Sequence, residues 1–353
     1  MLKALLLLAT AAGSTPYREV DVCFVLDTTG SMSAAIETAK EKIWFIATEI
    51  ANEIAAERGS TDQNPNLRVC LMAFRDRGDE YVTQLTPLTP DLDRVEVRLQ
   101  ALTAGGGGDG PEAVHQALWE TVRQTGWRSG DEALRVIFLI GDAPPKDYPD
   151  EPNYTEIVAE AAKSGIVINP VLIGQSSATR RRFANLRAGD RAELLDLPLA
   201  THSRAPSTPL DQDLIALGSR LDATLLPYGS VTARQELRDE RARAEELSDL
   251  SRIDRLAFGE ASGRVLHRPG DLLQDLDAGR IQLDELSQEQ LPAALRSMSR
   301  EELQASLGAV RSERAALSDL IQRLLADRRK LIEHSTDPDS FEYQVTQVLL
   351  RQL

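Results

Sequence analysis

The sequence predicts an α/β fold: a doubly wound, mostly parallel sheet of about six strands, followed by an α-helical C-terminal tail. Three observations predict it. Four runs rich in Val, Ile and Leu, VCFVL (22–26), LRVCLMAF (67–74), LRVIFLI (134–140) and IVINPVLI (166–173), show little polar alternation, the habit of strands covered on both faces. Segments with helical spacing separate these runs, so strand and helix alternate. Beyond Ser203 the strands stop, and Leu, Ala, Arg, Glu and Gln take over.

The elements follow in order. Residues 1–12, MLKALLLLATAA, put Lys3 before a short apolar run and small residues after it. That is a minimal secretory signal, implying a periplasmic or secreted chain, with a plain N-terminal extension as the alternative. The run is far short of the ~20 apolar residues that a membrane span needs. After the first strand, Ile36, Ile43, Ile46, Ile50 and Ile54 mark a helix over Ser33–Glu57. Tyr81 to Leu85, after the turn Arg77-Gly78-Asp79, fits a short antiparallel edge strand. Helices follow near Leu92–Leu102, Glu112–Thr125 and Thr155–Lys163, and a last helix and strand at Arg180–Leu186 and Ala192–Leu197. SRAPSTP (203–209) reads as a linker, and Leu210–Leu226 as a helix stopped by Pro227-Tyr228-Gly229. These place a first domain at 17–230 and a helical tail at 231–353. In the tail, residues 231–250 are helical, Gly259–Gly279 holds a break, and Ser299-Arg300-Glu301-Glu302 forms a capping box for a long helix. Ser340 opens the last helix. The tail's apolar stripe suits a small bundle or a coiled-coil pair, and self-association through it is one reading.

Bulk properties exclude some functions. The net charge of −15 opposes binding to a polyanion, so no nucleic-acid partner is expected. Cys23 and Cys70 lie in apolar runs and read as buried free thiols, with a cross-strand disulfide open if the chain is exported. His115, His202, His267 and His334 are scattered and show no zinc spacing.

Three loops carry the chemistry. Asp27-Thr28-Thr29-Gly30-Ser31-Met32-Ser33 follows the first strand. Gly105-Gly106-Gly107-Gly108-Asp109-Gly110-Pro111-Glu112 precedes a helix. Gly141-Asp142-Ala143-Pro144-Pro145 follows the third buried strand. In a doubly wound sheet the first and third lie side by side at the carboxyl edge, which brings Asp27 and Asp142 together. Neither loop holds Lys, Arg or His, so the two carboxylates repel unless a hard divalent cation sits between them. In Asp27-x-Thr29-x-Ser31 the side-chain oxygens fall on alternate residues of a tight turn and can converge on one point. Gly30 is expected to permit an unusual backbone there, and Gly105, Gly106, Gly107 and Gly108 to shape the second loop.

DVCFVLDTTGSMS resembles the metal-ion-dependent adhesion site of von Willebrand factor A domains, whose core is Asp-x-Ser-x-Ser. Thr29 stands at the first Ser position and Ser31 at the second. The family's last metal-binding Asp matches Asp142 in FLIGDAPP. Its more distant Thr comes from a separate loop, the place taken here by the glycine-rich loop, whose polar residue is Asp109. The combination of DTTGSM, GGGDGPE and GDAPP is similar to the subgroup found in alpha-kinase-linked, hemicentin-like and bacterial exported proteins. The resemblance covers roughly residues 19–200, and the stretch from LDATLLPYG (221–229) onward resembles the extension of bacterial members. It implies a site for Mg²⁺, or Mn²⁺ or Ca²⁺, held by Asp27, Thr29, Ser31, Asp109 and Asp142, that binds a protein partner without catalysis. A third carboxylate at Asp109 would hold the cation harder and leave it less attractive to a partner's acidic residue. The alternative is that Asp109 caps the helix behind it. Ser33, Arg75, Asp76, Pro144 and Pro145 are candidates to support or rim the site.

Rival readings are weaker. A strand ending in Asp with a later Gly-Asp loop is shared with haloacid-dehalogenase-type phosphotransferases, but those need a second Asp where Thr29 stands, and a hydroxyl is no acid near neutral pH. The glycine-rich loop lacks the Lys of a phosphate-binding loop. A structural protein working through its helical tail, with the α/β head as anchor, is the remaining alternative.

Overall fold

A computed structural model describes residue 17 and residues 19–58, 66–108, 110–174, 176–197, 207–265, 269–332 and 338–353. The proposed signal at 1–12, most of the linker, Asp109, His202, His267 and His334 lie outside them.

Six strands form one sheet in the order β3-β2-β1-β4-β5-β6. They are β1 (Glu19–Asp27), β2 (Asn66–Phe74), β3 (Thr83–Thr89), β4 (Ala133–Gly141), β5 (Ile166–Ile173) and β6 (Leu195–Leu197), all parallel except the edge strand β3. Strand order reverses between β1 and β4, so the loops after these two strands open a crevice. The pleat sorts β1 cleanly. Val20, Val22, Phe24 and Leu26 face one layer, while Cys23 and Val25 face the other. The first layer holds α1 (Ser33–Arg58) and α2 (Leu92–Gln100). The second holds α3 (Val114–Gln124), α4 (Tyr154–Lys163) and α5 (Ser177–Ala184).

The antiparallel edge strand starts two residues later than expected and runs on to Thr89, because Tyr81 is used elsewhere, as described below. Cys23 and Cys70 sit opposite each other in the β1–β2 register and are joined in a disulfide, so the free-thiol expectation is corrected.

The later helices are α6 (Asp211–Ala223), α7 (Val231–Glu245), α8 (Asp249–Ser262), α9 (Leu272–Asp277), α10 (Arg300–Ile332) and α11 (Phe341–Gln352). Helices α6, α8 and α10 share an apolar cluster built on Leu214, Leu217, Leu221, Ile253, Leu317 and Ile321. The expected capping box is present: Ser299 N donates to Glu302 and Glu302 N to Ser299. Two of these helices also enter the core of the sheet. Phe258 of α8 packs on Trp44 of α1 with ring centroids 5.9 Å apart. Phe341, Val345, Val348 and Leu349 of α11 join the cluster formed by α1 and the sheet. A buried ion pair, Lys42 to Glu342 at 3.1 Å, pins α11 to α1, and Gln352 exchanges amide hydrogen bonds with Asn169 of β5. Among the described residues no helix is long and apolar enough to cross a membrane.

Candidate metal centre

Strand β1 is buried from Val20 onward and carries two carboxylates in that stretch, and their surroundings differ completely. Asp21, near its start, is fully buried and neutralised: Arg68 donates to both its oxygens, at 2.9 and 2.6 Å, and Arg128 adds a bond of 2.7 Å. Asp27, at its end, is also 0% exposed but has no ion-pair partner among the described residues. Its Oδ1 accepts from Thr29 N at 2.8 Å and Thr29 Oγ1 at 2.7 Å. Its Oδ2 is buried without any hydrogen-bond partner. Burial pushes the Asp27 carboxyl up to about 7; the Thr29 bonds restrain the rise, and the charges of Asp142 and Asp79 add to it.

Asp142 arrives beside it. Gly141 ends β4 against Asp27, so close that a Cβ there would lie 3.4 Å from Asp27 Oδ2. Asp142 Oδ1 is buried and likewise has no partner. The switch in strand order thus brings together the two carboxylates that topology placed there, each with one bare oxygen. Thr29 spends its hydroxyl hydrogen on Asp27 and keeps its lone pairs. Ser31 lies exposed in a single 3-10 turn, Gly30–Met32, and Ser33 opens α1 beside it, also exposed.

The glycine-rich loop closes over this turn. Gly105 N donates to Thr28 O at 3.0 Å, and Gly30 N to Gly106 O at 3.4 Å. Gly106 and Gly107 take left-handed φ of 79° and 78°. A Cβ on Gly106 would strike the Asp79 carboxylate at 2.3 Å, and one on Gly107 would lie 2.8 Å from Thr29 Cβ and 2.9 Å from Glu112 Oε1. Gly30 itself is not among the positive-φ glycines, which corrects its expected role; it matters as the point where the first loop meets the second.

Supporting residues tie the loops to β2. Thr28 N and Oγ1 both donate to Phe74 O at 2.9 Å, and Thr28 Oγ1 lies 2.7 Å from the Tyr81 hydroxyl. Arg75 lies over the Tyr81 ring and donates to the carbonyls of Thr28 and Thr103. Asp76 accepts from Lys146 at 2.7 Å and Tyr148 at 2.6 Å, fastening the loop that follows β4. Burial works to raise the Asp76 pKa, but these two donors hold it below the usual carboxylate range. Lys146, the cation nearest in sequence to Asp142, is thereby engaged elsewhere. Pro144 O accepts from Glu112 N at 3.0 Å, and the carbonyl of buried Pro145 from Arg182.

Two residues escaped the sequence reading. Glu112, 2% exposed, closes the glycine loop next to Thr29 and contributes a further carboxylate. Asp79, set in a tripeptide too common to weigh, accepts from Gly107 N and Asp76 N at 3.1 Å each and so holds the glycine loop in place. The position of Glu112 at the end of GGGDGPE was the available signal; Asp79 offered none.

This donor set fits a hard divalent cation. Such ions take carboxylate and hydroxyl oxygens, and two buried oxygens, on Asp27 and Asp142, stand without a hydrogen-bond partner. A fold that pairs Asp21 with two arginines leaves Asp27 without one.

A family model described as the von Willebrand factor A domain matches residues 21–204. The von Willebrand factor A domain-containing protein 7 of Mus musculus is 35% identical over 124 residues, covering 35% of this chain and 12% of that protein. Its Homo sapiens counterpart is 34% identical with the same coverage. The match therefore takes in only a small part of the length of these curated relatives. Among solved structures, the SpRpn10 VWA domain aligns at a TM-score of 0.39 with 16% identity, over 52% of this chain and 90% of that one. Proximal thread matrix protein 1 from the mussel byssus, solved with a zinc-occupied MIDAS motif, aligns at 0.38 with 15% identity, over 52% and 43%.

Proposed function

This chain belongs to the von Willebrand factor A domain family, and we propose that it binds a divalent cation at the crevice between β1 and β4 and uses it to dock a protein partner, without catalysis. Asp27 and Asp142 hold the charge of the ion, Thr29 and Ser31 offer hydroxyl oxygens, and Asp109 or Glu112 supplies a further carboxylate from the glycine-rich loop. Mg²⁺ suits this oxygen set, and Mn²⁺ or Ca²⁺ can stand in for it. The observation that carries the reading is the pair of buried, unpartnered oxygens on Asp27 and Asp142. With so many carboxylates the bound cation is largely neutralised, so it is retained strongly and depends less on an acidic residue of the partner. Export is part of the same proposal, supported by the Cys23–Cys70 disulfide, which suits an oxidising compartment.

Isothermal titration of the full chain with Mn²⁺, beside Asp142→Asn, tests the site. Saturable binding that the variant lacks is expected, and equal binding by both sinks the proposal. A pull-down with and without EDTA then tests whether partner capture needs the ion; capture indifferent to EDTA removes the ion from the contact.

A further inference from the structure

The helical region contains a cavity of about 460 Å³ bordered by α8, α9 and α10, far in the chain from the candidate metal centre. Four arginines line it: Arg264, Arg280, Arg311 and Arg314. Three are matched. Arg280 pairs with Asp275, Arg311 with Asp277, and Arg314 with Asp271, the last through two bonds of 2.8 Å. Arg264 is different. It follows Gly263, the left-handed residue that ends α8, and it is half-buried with no carboxylate against it among the described residues. Burial and the neighbouring Arg280 charge both push its pKa below the usual guanidinium value. Glu260, also in the lining, already accepts from Ser318 and Gln322.

A half-buried guanidinium beside a like charge is unfavourable unless an anion joins it. The fork of an arginine matches a phosphate or carboxylate through two parallel hydrogen bonds. The volume lies within the range of small-molecule sites, roughly 300–1,000 Å³. A volume of about 460 Å³ is too small for the face of a folded partner. Leu221, Leu273 and Ala315 add apolar wall beside the charges.

We propose that this cavity binds a small amphiphilic molecule through its oxyanion, phosphate or carboxylate, with Arg264 as the principal anchor, Arg280 and Arg311 as helpers, and Leu221 and Leu273 against its apolar body. Around the cavity Asp271, Asp275, Asp277 and Glu260 balance the four arginines in charge, so what draws the anion is the unpartnered fork of Arg264 and not a net positive field.

Titration of the full chain at low salt with phenyl phosphate and, separately, benzoate tests this. Saturable binding of at least one probe is expected, weakened about tenfold or more in Arg264→Ala and weakened by added salt. The probe that binds identifies the oxyanion. Without ligand, Arg264→Ala is expected to melt no lower than wild type, because no carboxylate loses a partner, and its Mn²⁺ binding is expected to be unchanged. The proposal is overturned if neither probe binds saturably up to roughly 10 mM, or if Arg264→Ala binds as well as wild type.

Discussion

Substituting Asn for Asp27 separates the candidate metal site from a merely structural carboxylate, because the two give effects of opposite sign. Asn keeps an oxygen to accept from Thr29 N and Thr29 Oγ1, so the turn is retained. What changes is the charge. A carboxyl raised from 3.8 to about 7 in the folded chain disfavours the ionised folded state by about 4 kcal/mol. The sign follows from linkage. The folded pKa lies above the unfolded one, so stability is lost as pH rises from 3.8 through about 7 and is flat above. Against this, the new amide N–H at the position of Oδ2 stays without an acceptor, which costs about 1–3 kcal/mol. At pH 8 in EDTA, Asp27→Asn is therefore expected to be more stable than wild type by about 1–3 kcal/mol, and near pH 4 less stable by a similar amount. Mg²⁺ shifts the balance at pH 8 towards wild type, and reverses the order where the variant's lead is below about 2.7 kcal/mol. At a hundredfold excess over its Kd the ion adds about 2.7 kcal/mol to wild type and nothing to the variant. Urea denaturation followed by circular dichroism, at both pH values with EDTA and with Mg²⁺, reads all four numbers. A variant less stable than wild type at pH 8 in EDTA, or one stabilised equally by Mg²⁺, refutes the reasoning.

Three further substitutions probe the surroundings. Gly106→Ala places a methyl 2.3 Å from the Asp79 carboxylate at a φ of 79°, and is expected to displace the glycine loop and lower Mn²⁺ affinity, read by titration. Asp109→Thr replaces the carboxylate of the same loop by the family's hydroxyl; weaker metal binding is expected, and tighter binding would refute a ligand role. Glu342→Ala strands buried Lys42 and is expected to cost about 3–5 kcal/mol in chemical denaturation, whereas a value near zero would mean that α11 is not held to α1 by this pair.

The parts of the fold that could be read from the sequence were those in which a residue's neighbours follow from its own strand. The apolar runs at 22–26, 67–74, 134–140 and 166–173 became β1, β2, β4 and β5 because burial on both faces leaves no room for polar alternation. Asp27, Thr29 and Asp142 were legible for the same reason, since they sit where adjacent parallel strands end. Tyr81 misled, because its alternation with Thr83 and Leu85 is that of a strand, while its hydroxyl is held by Thr28 and the edge pairing begins only at Thr83. Four successive glycines announce an unusual backbone without saying which residues turn left-handed. The path through Gly106 and Gly107 is what brings Glu112 beside Thr29 and aims Gly107 N at Asp79. The helices beyond residue 231 raised a similar difficulty at larger scale. An apolar stripe states that a helix must be covered but not by what, and α11 is covered by α1 and the sheet. Asp79 is the limiting case. Its partners are backbone N–H groups, which every residue but proline offers, so no pattern of side chains could have pointed to it. A carboxylate that shapes the glycine-rich loop of a candidate metal centre through main-chain hydrogen bonds becomes visible only when the loop's path is known.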